Sequence, residues 1–270
     1  MAVAVDVLND IPYGAAGNFL LFLDLYQPDP LPEQPLPAVI YIHGGAWRRG
    51  DKALSKPPML AESGRYIVAS INYRLSDQAI FPAQLHDCKA AVRFLRANAA
   101  RYGIDGGRIG AWGYSAGGHL AALLATTGGR PELEGASGSP GADSAIQAAV
   151  CVAAPSDLSR MGGWHNEPDS PESLLLGGPP GERGELARQA NPLSYIHPGG
   201  PPMLLIHGED DDTVPVSQSQ ILYDALAQAG LPATFVRLPR SGHNFGLSSP
   251  HFPLVTERIA GFFDRWLQQK

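Results

Sequence analysis

The stretch Arg108 to Leu124, RIGAWGYSAGGHLAALL, decides the fold. Its first half is a short apolar run typical of a buried strand, and its second half, rich in Ala and Leu, has the composition of a helix. Between the two halves, Gly113, Ser115 and Gly117 form a Gly-x-Ser-x-Gly match. Glycines on both sides of a serine let the backbone crowd a sharp turn without a Cβ clash. The stretch therefore predicts a strand, a tight turn that exposes Ser115, and a helix whose N-terminus points at it.

Apolar runs with the character of strands recur along the whole chain. Besides Ile109 to Tyr114 they are Val3 to Val7, Leu20 to Leu25, Ala38 to His43, Tyr66 to Asn72, Ile146 to Ala153, Met203 to His207 and Ala233 to Leu238. Helical patterns follow Pro82 and Ser115, run from Ser217 to Ala229, and close the chain from Pro253 to Gln268. Strands that alternate with helices predict an α/β fold with a mostly parallel central sheet and helices on both faces.

Composition narrows the classes of protein and partner. A chain of 270 residues with 44% hydrophobic and 17% charged residues can form a large core, and we expect one domain over residues 1–270. The net charge of −6 argues against nucleic acid as a partner, and we expect no membrane partner. Residues 1–10 lack the layout of a signal peptide, so a cytoplasmic location is expected. The oligomeric state is unknown from the sequence.

Two segments rich in glycine and proline, residues 128–141 and 155–202, interrupt the alternation of strands and helices. In an open α/β sheet, ligands bind outside the carboxyl ends of the strands. An excursion between a strand and the next helix is placed to cover such a site. We therefore expect these two segments to be cap or cover segments of the single domain.

The sequence His43-Gly44-Gly45-Ala46-Trp47 directly follows an apolar strand. Acyl transfer builds an oxyanion that needs fixed backbone N–H donors, and paired glycines let a loop present them. Combined with the serine turn, this loop is predicted to form an oxyanion hole with donors from Gly45, Ala46 and Ala116. The alternative is an ordinary glycine turn after a strand. Trp47 is predicted to line the substrate pocket, although it could equally be a core residue.

A serine nucleophile needs a base and an acid that orients the base. The base is assigned to His243 in Ser-Gly-His-Asn-Phe, residues 241–245. The acid is placed in the loop after a late strand, where the residues alone leave Asp210, Asp211 and Asp212 open. His119, one turn into the helix after Ser115, is predicted to be a hydrogen-bonded core histidine and not a second base. The other histidines show no metal-ligand spacing, so no metal is expected.

Six motifs together carry a family resemblance. They are HGGAW with Gly50-Asp51-Lys52 behind it, Asn72-Tyr73-Arg74-Leu75, Phe81-Pro82-Ala83, GYSAGGHLA, HGEDDDTVP and GHNF. The chain resembles the α/β-hydrolase superfamily and, within it, the small serine esterases of the bifunctional feruloyl and acetyl-xylan esterase type. The order Ser, Asp, His is the one characteristic of that superfamily. The resemblance implies an aspartate at the third position after HG, which selects Asp211 and leaves Asp212 in reserve.

The resemblance implies a carboxylesterase that acts on short-chain acyl esters, including acetyl or feruloyl esters of sugars, without a cofactor. Its partner would be a small-molecule ester. The residues leave two alternatives open. The same machinery would serve an amide hydrolase, such as an arylformamidase or a prolyl-oligopeptidase-like peptidase. A non-catalytic binding module on the same fold is the third hypothesis, because fold alone does not fix function.

Overall fold

The computed structural model describes residues 2–53, 58–244 and 249–268. In these residues one sheet contains the strands β1 (Ala4–Ala16), β2 (Phe19–Asp29), β3 (Leu36–Ile42), β4 (Ile67–Ile71), β5 (Ile104–Tyr114), β6 (Ala148–Val152), β7 (Met203–Gly208) and β8 (Ala233–Leu238). The helices are α1 (Pro58–Ala61), α2 (Ala83–Ala97), α3 (Ala116–Thr126), α4 (Pro171–Leu176), α5 (Gly184–Gln189), α6 (Ser217–Gln228) and α7 (Phe252–Leu267). The predicted strands and long helices are confirmed.

The strands are ordered β1-β2-β4-β3-β5-β6-β7-β8 across the sheet. β1 and β2 are antiparallel to their neighbours, and every pair from β4 to β8 is parallel. The parallel pairs are joined by crossover connections, since strands of one direction cannot be linked by a tight hairpin. The predicted α/β fold with a mostly parallel sheet is therefore confirmed.

The central strands β3, β4, β6 and β7 are buried on both faces, which explains why they read as continuous apolar runs. In β3, Ile40 and Ile42 face the core shared with α2, α3 and α6, whereas Val39 and Tyr41 face the core shared with α1 and α7. Helices thus cover both faces, as predicted. No helix in the described ranges is long and apolar enough to cross a membrane.

Residues 128–141 contact α2 through the ion pairs of one glutamate. Glu134 pairs with Lys89 and Arg93 of α2, at 2.7 Å in each case. Lys89 also donates to the carbonyl of Thr127, directly after the last residue of α3. A helix rises 1.5 Å per residue, so this end of α3 lies about 16 Å from Ser115. Glu134 is therefore held against α2 and far from Ser115, and a covering role for 128–141 stays a prediction.

Residues 155–202 begin after the carboxyl end of β6 and contain α4 and α5. The segment is tied to the rest of the domain by buried polar contacts. Gln218 of α6 accepts the amides of Ser156 and Asp157, each at 2.8 Å. The carbonyl of Ala190 contacts the ring of His119, in the first turn of α3. This segment therefore lies at the same end of α3 as Ser115.

Candidate active site

Ser115 occupies a sharp turn between β5 and α3. Its backbone has φ 55° and ψ −120°, a conformation that residues with a Cβ rarely adopt. The Ser115 amide donates to the carbonyl of Val152 in the neighbouring strand β6 at 2.8 Å, which holds the turn in place. Such backbone strain costs about 1–3 kcal/mol and persists where the surrounding structure enforces it. The turn therefore projects the Ser115 side chain away from the sheet, at the end of the strand.

The two glycines of the turn are required by close backbone contacts. A Cβ on Gly113 would lie 2.1 Å from the carbonyl oxygen of Gly117, and a Cβ on Gly117 would lie 2.0 Å from that of Ile42. Any side chain at either position would push α3 away from β5 or β3. The absence of both Cβ atoms therefore brings the N-terminus of α3 to Ser115, where its free N–H groups favour negative charge.

His243 lies between Ser115 and Asp211. Its Nε2 is 3.0 Å from the Ser115 Oγ, and its Nδ1 is 2.7 Å from the Asp211 Oδ2. The pattern assigns the proton to Nδ1, which donates to the carboxylate, and leaves Nε2 free to accept the serine proton. The Tyr114 hydroxyl donates to the carbonyl of His243, which fixes the histidine backbone beside the turn. The three side chains are thus arranged in series, in the order that a nucleophile, its base and an orienting acid would need.

The Asp211 side chain is buried and fully hydrogen-bonded. Its Oδ1 accepts the amides of Thr213 at 2.9 Å and Val214 at 2.8 Å, and His207 Nε2 lies 3.2 Å from Oδ2. Burial raises the pKa of this carboxyl, but the hydrogen bonds from His207, His243 and Val214 outweigh it and hold the pKa well below the ordinary value. A charged Asp211 can therefore orient His243 and stabilise the imidazolium.

Of the three consecutive aspartates, the structure brings Asp211 into contact with His243. Asp212 is exposed. Among the described residues its carboxylate accepts a single hydrogen bond, from the hydroxyl of Thr213 at 3.3 Å. Asp210 is also exposed, and its amide donates to the carbonyl of Ser241. The reserve candidate Asp212 thus makes no contact with His243.

Gly45, Ala46 and Trp47 form a left-handed turn beside Ser115. Their φ angles are 114°, 58° and 55°, and the Gly45 carbonyl accepts the amides of Arg48 and Arg49 at 3.1 Å. A Cβ on the preceding Gly44 would stand 3.4 Å from the Ser115 Cβ, so the turn lies directly against the serine.

Three backbone amides around Ser115 remain available to a ligand. No hydrogen bond between described residues uses the amide of Gly45, Ala46 or Ala116. Ala116 is the first residue of α3, where helix amides have no partner within the helix. These are the predicted oxyanion donors, and unpaired amides next to a nucleophile are suited to bind developing negative charge.

Trp47 lies in the core, in contrast to the predicted position in a substrate pocket. Its side chain is 1% exposed, and its Nε1 donates to His119 Nδ1 at 3.2 Å. A side chain closed off in this way cannot line an open pocket, so the structure favours the core alternative. His119 is likewise buried and hydrogen-bonded, as the sequence predicted for it.

The structure adds residues that the sequence did not bring to the site. His207 contacts Asp211. The two residues are four positions apart in HGEDD, and this spacing is a signal from which the contact could have been predicted. Tyr114 contacts the His243 backbone, a pairing of residues far apart in sequence for which no local signal exists. Phe245, the last residue of the GHNF motif, lies outside the described residues. Where the chain is described, no group of three or more His, Cys, Asp or Glu side chains could hold a metal ion.

Comparisons with known proteins agree with this architecture. A family model described as BD-FAE matches residues 23–226. Esterase LipQ of Mycobacterium tuberculosis is 36% identical, over 94% of this chain and 61% of LipQ. Two further matches from the same organism are the esterase LipC and the probable carboxylic ester hydrolase LipM. This chain spans less than two thirds of the length of each of the three proteins.

Two solved structures share nearly the whole fold. A truncated carbohydrate esterase from gut microbiota is 31% identical with a TM-score of 0.87, covering 98% of this chain and 97% of that chain. An acetyl ester-xyloside bifunctional hydrolase from Caldicellulosiruptor lactoaceticus is 26% identical with a TM-score of 0.78, covering 92% and 89%. The likeness thus extends over more than nine tenths of this chain in both cases.

Proposed function

The chain belongs to the BD-FAE family, and from this premise we propose that it is a serine carboxylesterase that hydrolyses short-chain acyl esters through an acyl-enzyme intermediate. The observation that carries the proposal is the series of contacts from Ser115 Oγ to His243 at 3.0 Å and from His243 to Asp211 at 2.7 Å. The named relatives are esterases, which supports an ester over the amide substrate that the sequence left open.

In the first half of the reaction, Ser115 Oγ attacks the carbonyl carbon of the ester. The hydroxyl proton passes to His243 Nε2, and the carbonyl π electrons move onto oxygen to give a tetrahedral oxyanion. The amides of Gly45, Ala46 and Ala116 donate to this oxygen. When the intermediate collapses, the bond to the alcohol oxygen breaks, and the alcohol takes the proton from His243. The acyl group stays on Ser115.

In the second half, water takes the place of the alcohol. His243 removes a proton from the water, whose oxygen attacks the acyl carbon and forms a second oxyanion at the same amides. Collapse breaks the bond to Ser115 Oγ, which recovers its proton from His243. The products are the carboxylic acid and the free enzyme. Asp211 keeps its charge throughout and stabilises the imidazolium in both halves.

We propose acetyl and feruloyl esters of sugars as the substrate class. The support is the family match and the names of the two structural neighbours, one a carbohydrate esterase and the other an acetyl ester-xyloside hydrolase. The partner of the protein would accordingly be a small-molecule ester or the ester group of a saccharide.

The test compares wild type with Ser115→Ala on p-nitrophenyl esters from acetate to palmitate. We expect the highest kcat/KM at two to four acyl carbons and a loss of about 10⁶-fold in the variant, as for a cooperating triad. Ser137→Ala is the matched control, because this serine lies near α2 and its Oγ has no partner in the described chain. Ester hydrolysis that survives Ser115→Ala would contradict the proposal.

A second experiment tests the substrate class by comparing esters with amides. Acetylated xylan and methyl ferulate are offered beside N-formylkynurenine and a prolyl anilide, all at equal concentration. The proposal predicts release of acetate or ferulate at rates above the turnover of both amides. A clear preference for either amide would instead assign the protein to the amide hydrolases.

A further inference from the structure

His119 connects three parts of the molecule through its ring. It lies in the first turn of α3, where its amide donates to the Ser115 carbonyl at 3.0 Å, and its side chain is completely buried. Ring Nδ1 is 3.2 Å from Trp47 Nε1, and ring Nε2 is 2.7 Å from the carbonyl of Ala190. One residue therefore contacts the nucleophile turn, the oxyanion loop and the segment 155–202.

The hydrogen bonds of His119 allow a single protonation state. The indole nitrogen of Trp47 can only donate, so Nδ1 must accept and Nε2 must carry the ring proton that goes to Ala190. A second ring proton would sit on Nδ1 and point at the N–H of Trp47, so neither group would have an acceptor. Burial lowers the pKa of His119 to about 4, against the opposing effect of the Ala190 carbonyl, so the ring stays neutral at physiological pH.

Trp47 needs support because its backbone is strained. Ala46 and Trp47 have φ angles of 58° and 55°, which residues with a Cβ rarely adopt and which persist only where the surroundings enforce them. The indole packs edge-on against the His119 ring, with 5.2 Å between centroids and planes 85° apart. The Trp47 carbonyl accepts the amide of Ser76 at 2.8 Å. The buried, hydrogen-bonded side chain thus fixes the turn to which the Ala46 amide belongs.

We propose that His119 is a positioning residue for the oxyanion hole. Through Trp47 it holds the amides of Gly45 and Ala46 at the position that the substrate oxyanion occupies, and through Ala190 it anchors the segment 155–202 to the same point. This inference rests on the proposed esterase function. It gives His119 no contact with substrate and no proton transfer; its effect passes through Trp47.

The first test compares an oxygen ester with its thiono counterpart, in which sulfur replaces the carbonyl oxygen. Sulfur is a weak hydrogen-bond acceptor, so hydrolysis of the thiono ester depends less on the oxyanion amides. We expect His119→Leu to lower kcat for the oxygen ester about 30-fold, because displaced oxyanion donors stabilise the transition state less. KM should stay nearly unchanged, and the ratio of oxygen-ester to thiono-ester kcat/KM should fall about 10-fold.

Conservative variants separate hydrogen bonding from packing. His119→Gln offers an acceptor and a donor on one carbon, with a spacing close to that of the two ring nitrogens, and should restore most of kcat and of the ester ratio. Trp47→Phe keeps an aromatic ring but loses the donor, and should lower the ratio as His119→Leu does. Leu124→Ala, in the same helix and equally buried, is the control for loss of stability and should leave the ratio unchanged.

A measurement of the hydrogen bond between Trp47 and His119 distinguishes this inference from the proposed function. The indole N–H signal of Trp47, assigned with Trp47→Phe, is followed by NMR together with its exchange rate. We expect His119→Leu to shift the signal and speed its exchange, and His119→Gln to restore both. An unchanged indole signal, or an unchanged ester ratio in folded His119→Leu, would overturn the inference. A wild type that hydrolyses no ester would instead contradict the proposed function.

Discussion

Gly208 and Ser241 pack so closely that a Cβ on Gly208 would stand 2.2 Å from the Ser241 carbonyl oxygen. The same carbonyl accepts the amide of Asp210 at 3.0 Å. These contacts join the loop that carries Asp211 to the loop that carries His243. The 2.7 Å distance between Asp211 Oδ2 and His243 Nδ1 therefore depends on the absence of a side chain at position 208.

The first prediction concerns this contact. Gly208→Ala should force the two loops apart and lower kcat about 100-fold, because a displacement of about 1 Å at a catalytic group has effects of that size. The measurement is kcat/KM for p-nitrophenyl acetate, with circular dichroism to show that the fold is retained. Gly242→Ala is the control: its Cβ would meet Asp210 at 3.7 Å, an ordinary contact, so its activity should stay within about threefold of wild type. Equal activities of the two variants would contradict the prediction.

The second prediction separates stability from activity at Ser115. Glycine adopts φ 55° and ψ −120° without steric cost, so Ser115→Gly should relieve the strain of the turn. We expect a gain of about 1 kcal/mol in the free energy of unfolding, together with loss of esterase activity. Ser115→Ala also loses activity but keeps a Cβ, and should show no such gain. Urea unfolding of both variants provides the measurement, and equal stabilities would argue against strain at this turn.

The third prediction distinguishes the adjacent aspartates. Asp211→Asn replaces an acceptor of the His243 proton by an amide that can donate, which favours the wrong tautomer of the histidine. We expect kcat to fall about 10⁴-fold. Asp212→Asn changes an exposed side chain and should alter kcat less than about threefold. Steady-state kinetics of the two variants at one pH decides between them, and a reversal of the effects would move the acid to Asp212.

Much of the fold could be predicted because its signals are local. β3 and β7 are buried on both faces, so they read as unbroken apolar runs that end at loops with glycine. The motifs of Ser115, Asp211 and His243 each follow a strand of the parallel part of the sheet. The carboxyl ends of parallel strands meet at one edge of the sheet, so these motifs could be expected to converge.

What could not be predicted depends on contacts between distant residues. Trp47 sits in a loop of glycines, and only the position of His119 shows that its indole points into the core. Residues 128–141 are rich in glycine and proline as 155–202 are, yet the ion pairs of Glu134 with Lys89 and Arg93 tie the first segment to α2. Composition identifies a loop, whereas its location is decided by partners that the local sequence does not reveal.

The last prediction follows from the low pKa of His119. An unfolded histidine takes up a proton near pH 6.5, whereas the folded His119 does so only near pH 4. Between these values the unfolded chain binds more protons, so the free energy of unfolding should decrease as the pH falls. From pH 7 to pH 5 this single residue should account for a loss of about 2 kcal/mol.

His119→Gln provides the comparison for this prediction, because its side chain does not titrate. Urea unfolding of wild type and variant at pH 7 and pH 5 gives four free energies, and the difference between the two pH-dependent losses isolates the contribution of His119. We expect the loss in the variant to be smaller by about 2 kcal/mol. Identical losses in the two proteins would mean that the folded ring accepts a proton at pH 5, which its donor from Trp47 should prevent.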